Sequence, residues 1–113
     1  MANGIAEKDW KTFKDLHPVV LERFFQKVLA EIRSVILEKD KDGREQFWAA
    51  YELMNERRKE AARIFDDFRR STAILQLAMM CVQGLVLEEE MGRFSAEARE
   101  AVARYRGIQA GPA

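Results

Sequence analysis

The sequence predicts an all-α fold: a small up-and-down helical bundle of about four main helices with one long central helix, completed by dimerisation. Three observations carry this. Apolar residues recur at three- and four-residue intervals through most of the chain, proline and glycine are absent from Arg44 to Gln83, and Ser71 to Leu87 (STAILQLAMMCVQGLVL) is apolar or small except at Ser71, Thr72, Gln76 and Gln83. A helix that is apolar on nearly every side needs neighbours on nearly every side, and Gln76 and Gln83, seven apart, form its one wet stripe.

The 113 residues, 48% of them apolar, suffice for one domain over 1–113, with a core over about 6–106 and a frayed tail at 107–113. Nineteen Lys plus Arg balance nineteen Asp plus Glu, which removes the electrostatic case for nucleic acid or an anionic membrane as partner. The stretch 71–87 carries two glutamines, falls short of a bilayer span and is flanked by charged sequence, so it reads as a buried core helix rather than a membrane segment. A lone Cys81 has no disulfide partner, and MANGIAEKDW has neither the basic region nor the apolar core of a signal peptide; the expected address is cytoplasmic.

In chain order, Ala6, Trp10, Phe13 and Leu16 mark a short amphipathic helix over Ala6 to Leu16. His17-Pro18 ends it, because proline disfavours an α conformation in the residue before it and suits the first position of a new helix; His17 is then a cap candidate. The second helix runs from Pro18 to about Lys39 on a stripe through Leu21, Phe25, Val28, Ile32 and Ile36, and Gly43 closes it with a left-handed turn.

From Arg44 to Gln83 a single helix of about 60 Å is expected from the helical rise. Its heptad seam includes Phe65, Phe68, Thr72, Leu75, Met79 and Val82, with Leu75 at the centre of the core, and Arg63–Asp67 and Asp66–Arg70 pair along its outside. Ser71 is the competing cap, and a break near Arg70-Ser71 is the alternative. Gly84 and Gly92 bracket a short acidic turn over Leu87 to Met91. Ser95 caps a last helix with Glu97 in its first turn, a stripe through Ala98, Ala101, Val102 and Tyr105, and its end at Gly107.

Motifs that carry chemistry are scarce. Glu38, Asp40, Asp42 and Gly43 match the start of a calcium loop, but Ala49 stands where the closing bidentate glutamate belongs. His17 has Lys14 rather than a glutamate three residues earlier, so the helical di-metal pattern is missing. Cys81, between Met80 and Val82, reads as a buried and inert thiol. Glu88 to Glu90 and Asp66-Asp67 read as solvated acids rather than tuned catalytic ones. Arg57, Arg58, Lys59, Arg63, Arg69 and Arg70 are interleaved with Glu56, Glu60, Asp66 and Asp67, which largely neutralises a nucleic-acid face.

No catalytic, metal or cofactor constellation emerges. The expected function is therefore a self-associating helical protein-interaction or regulatory module, a homodimer open to a further protein partner. The alternative is a bundle that binds a small apolar ligand in a pocket near Trp48, Phe68 and Met79. The dimer argument is one of length: a helix two of half the length leaves the apolar end of the 60 Å helix uncovered, and a second copy covers it.

Overall fold

The computed structural model describes residues 5–110 and is all-helical there, with no strand among the described residues. Helix α1 spans Glu7–Ile36, α2 Gly43–Ala61, α3 Ala73–Val82, α4 Glu88–Met91 and α5 Ala96–Ala110. The stop expected at His17-Pro18 is not there: α1 runs straight through it, with Pro18 inside the helix. Pro18 removes the hydrogen bond that would reach the Lys14 carbonyl. Its ring is exposed, and the buried stripe Phe13, Leu16, Val20, Phe24, Val28, Ile32 keeps its period across it, so packing along the whole stripe outweighs the local defect. Hence α1 is the spine against which the other helices pack, about 45 Å long by its rise.

At the other end of α1 the helix stops at Ile36, three residues before the expected Lys39. Gly43 does not make a left-handed turn; it is the first residue of α2, where Asp42 accepts from the Glu45 N–H at 2.9 Å and the Glu45 carboxylate accepts from the Asp42 N–H at 3.0 Å. That reciprocal capping box sets the start of α2.

The long helix from Arg44 to Gln83 is broken. After Ala61 the chain makes one turn of the wider π form, Ala62–Asp66, then an extended step and a 3-10 turn, Arg70–Thr72, before α3 begins. Phe68 and Arg69 donate to the carbonyls two residues back, Asp66 and Asp67, and the Thr72 hydroxyl donates to the Asp67 carbonyl. The outer ion pairs change with the break: Asp67 takes both ends of the Arg69 guanidinium, at 2.6 and 2.9 Å, and Arg70 reaches Glu7 at 2.9 Å and the Ile5 carbonyl at 2.8 Å. Magnitudes explain why it forms. Leu77, Met79 and Met80, buried at about 1.5–3 kcal/mol each, outweigh about three lost helical hydrogen bonds worth about 1 kcal/mol net apiece.

Folding back brings α3 onto α1 and α5, and the core lies where these three meet the π turn. The register of α3 is the reverse of the one expected: Leu75 is 38% exposed and Gln76 only 1%, with both Gln76 amide atoms lacking a hydrogen-bond partner. Much of the Ser71-to-Leu87 stretch is thus packed within its own chain, with Leu75, Val82 and Leu87 left exposed, and the reason given for a dimer, an uncovered end of a 60 Å helix, does not hold. Gly84, at φ 71°, turns the chain after α3 and α4 forms the short acidic turn. Ser95 caps α5 as expected, its Oγ accepting from Ala98 N–H at 3.1 Å, but α5 passes through Gly107 and reaches Ala110.

Candidate functional site

The α3–α5 unit covers only part of the spine. Its last ties to α1 are Arg23 to the Leu85 carbonyl and Glu90, and Lys27 to the Gln83 carbonyl at 3.3 Å. Beyond Lys27, α1 packs chiefly against α2, and the two form an antiparallel hairpin in a molecule 56 Å long and 25 Å across its narrowest axis. Gln46 Nε2 donates to the Glu38 carbonyl at 2.6 Å, and the Arg57 guanidinium grips the Glu31 carboxylate at 3.0 and 3.2 Å. The hydrogen bonds from Arg57 hold Glu31 below the usual glutamate range.

At 100° per residue, the seam of this hairpin joins Val28 and Ile32 to Ala50 and Ala61, which are the only two residues of α2 that are buried. The two flanks of the seam differ. On one lie Glu31, Arg57 and Glu60, around a small charged hollow of about 100 Å³ that reaches Gln83 and Leu85. On the other, Phe25, Leu29 and Ile36 share a face of α1, and Phe47, Tyr51 and Met54 share a face of α2. All six are between 43% and 61% exposed. Trp48 meets Phe47 and Tyr51 edge to face, with centroids 5.3 and 5.7 Å away. A hollow of about 420 Å³ lies among Ile36, Gly43, Gln46, Phe47, Tyr51 and Met54, walled almost wholly by carbon. Such a face can bind another apolar surface.

The residues expected to make one seam are dispersed. Phe65 and Met79 are core, while Leu75 and Val82 point outward from α3. Thr72 holds the break. Phe68 is half-exposed and lies over Trp10, Phe13 and His17, 4.3 Å from the His17 ring centroid. Nor do Trp48, Phe68 and Met79 line one pocket: Trp48 packs on Phe47, which shares a hollow with Ile36, whereas Phe68 stacks on His17, and Ile36 and His17 are roughly 28 Å apart along α1 by the helical rise. His17 is no cap. Its Nε2 donates at 3.1 Å to the Phe65 carbonyl, which in an unbroken helix would accept from Arg69 N–H.

Cys81 is buried, and that burial pushes its thiol up. Among the described residues no group of three or more His, Cys, Asp or Glu side chains is placed to hold a metal ion, and no helix is long and apolar enough to cross a membrane. Sequence reasoning missed polar partnerships such as Arg23 with Glu90, Arg57 with Glu31 and Asp9 with Ser95. Each joins residues at least 26 apart in the chain, so no local spacing announces it. No family model, curated protein or solved structure matches this chain.

Proposed function

We propose that this chain is a cytoplasmic, self-associating helical interaction module, and that the open flank of the α1–α2 hairpin is its interface. The observation that carries the reading is the amount of apolar surface exposed on that flank, with Ile36, Phe47, Tyr51 and Met54 around one hollow. Phe25, Leu29, Ile36, Phe47, Tyr51 and Met54, each about half-exposed, leave on the order of 700 Å² of side-chain surface in water. Monomers rarely tolerate a patch much above about 600 Å², and a stable interface buries about 800 Å² per partner. The lone Cys81, buried and unpaired, suits a reducing compartment.

A second copy is the occupant that fits. Two helical hairpins laid flank to flank about a twofold axis make a four-helix bundle, the economical way to bury two identical apolar faces. The formal net charge of zero leaves no long-range repulsion between copies. Sedimentation from 1 to 100 µM is the test. A dimer is expected for the native chain, and Tyr51→Glu, which puts a charge in the middle of an already exposed flank, is expected to yield a monomer with unchanged helix content. A native chain that remains monomeric throughout this range rules the reading out.

A further inference from the structure

A second surface is built by α3, α4 and α5, with no residue of α1 or α2 in its lining. Leaving α3, Leu85 N–H donates to the Met80 carbonyl at 3.0 Å and Gly84 N–H to that of Cys81 at 2.9 Å, a left-handed helix ending that only a residue without Cβ makes freely. The Glu90 carboxylate then caps α4 through Leu87 N–H at 2.9 Å, held in place by Arg23. Between this turn and α5 lies a cleft of about 520 Å³, lined by Val86 and Met91 among others and of a size typical of small-molecule sites. A neighbouring hollow of about 480 Å³ between Val82 and Gly107 shares Ala103 and Arg106 with it.

The floor of the cleft is apolar: Cys81, Val86, Met91, Val102 and Ala103, with the Cys81 sulfur 3.7 Å from that of Met91. The α5 side is different. Arg99, Val102, Ala103 and Arg106 fall at i, i+3, i+4 and i+7, so the two arginines flank one stripe, their Cα atoms about 10 Å apart by the helical rise. Neither makes an ion pair among the described residues. Arg106 and Cys81 line the same cleft. Glu88, on the opposite wall, is the one acid lining the cleft.

We infer that this cleft binds a small amphiphilic monocarboxylate, its unbranched apolar body lying on the Val86–Met91–Val102 floor and its carboxylate taken by the arginine pair of α5. A guanidinium offers a carboxylate two parallel hydrogen bonds, and the apolar floor beneath lowers the dielectric in which they act. Two cations against one acid favour an anion over a neutral body of the same length.

Decanoate and decanol, titrated below micelle formation and followed by amide NMR shifts and calorimetry, are the probes. Decanoate is expected to shift the amides of 81–86, 91 and 99–106 and to bind at least tenfold more tightly than decanol. Arg99→Gln with Arg106→Gln should abolish that preference, and Ala103→Trp, filling the cleft from an exposed position, should abolish binding of both. Tyr51→Glu should change neither affinity, which keeps this result independent of the hairpin. Equal affinity for the acid and the alcohol, shifts confined to the hairpin, an unaffected double variant, or no binding at all would each overturn the inference.

Discussion

Asp9 and Ser95 bind the first turn of α1 to the start of α5. The Asp9 carboxylate, buried, accepts from Ser95 N–H at 2.8 Å and from the Ser95 hydroxyl at 2.7 Å, and that hydroxyl oxygen in turn accepts from Ala98 N–H at 3.1 Å. One acid thus serves two helix beginnings: it lies in the first turn of α1, where the dipole favours an anion, and it completes the cap of α5. Asp9→Ala is expected to cost about 2 kcal/mol, because it leaves two donors without their acceptor, and Ser95→Ala about 1 kcal/mol as a lost cap. Urea melts of both single variants and the double should show coupling of about 1 kcal/mol. Simple additivity would mean that the two side chains act separately.

The reversed register of α3 predicts an inverted pair of phenotypes. Gln76 buries an amide with no partner, a group that costs about 1–3 kcal/mol to leave unsatisfied, so Gln76→Met should be neutral or raise stability by up to about 2 kcal/mol. Leu75→Asp, on the outer face, should cost about 1 kcal/mol or less. Thermal melts decide it; an unfolded Leu75→Asp protein would contradict the packing of α3 described above.

Acid should loosen the α4 turn. The hydrogen bonds from Arg23 hold the Glu90 carboxyl below the ordinary glutamate range, against the opposing effect of burial. Because the folded value is the lower one, the unfolded chain takes up this proton first as pH falls. The stability contributed by Glu90 is therefore complete above about pH 4.3, the unfolded value, and is lost progressively as pH descends through the folded one. Melting temperatures measured from pH 7 to pH 3 should fall for the native chain, and Glu90→Gln should begin about 1.5–3 kcal/mol less stable at pH 7 and fall less steeply. Parallel curves for the two proteins would remove Glu90 from this account.

Local signals were legible and long-range ones were not. Ser95 as a cap and Gly84 as a turn follow from residue types in a short window, and Asp42-x-x-Glu45 was readable in the same way although the turn was assigned to Gly43 instead. The break between Ala61 and Ala73 has no proline or glycine to announce it. It exists because α3 must be surrounded, a requirement that the Ser71-to-Leu87 stretch stated clearly but that a continuous helix plus a second copy could equally have met. The hairpin flank was misread for a related reason. Phe25 and Ile36 lie on an amphipathic stripe that looks the same whether a neighbour covers it or not, and the neighbour on α2 buries only two alanines.

Pro18 tests how strongly the tertiary stripe overrides a local breaker. In the interior of α1 it forgoes the hydrogen bond to Lys14 and sets its ring against the preceding turn, a defect worth up to about 3 kcal/mol in an isolated helix. Its side chain is exposed, so replacing it removes little packing. Pro18→Ala should therefore raise stability by about 1–3 kcal/mol without changing the helix content, since α1 already runs from Glu7 to Ile36. The neighbouring His17 gives an internal check: its bond to the Phe65 carbonyl and its stacking on Phe68 depend on α1 holding its course through this point. His17→Ala should be destabilising by about 1–2 kcal/mol in both the native and the Pro18→Ala background. A gain in helix content with Pro18→Ala, read by circular dichroism, would show instead that α1 is interrupted at His17-Pro18, as the sequence alone suggests.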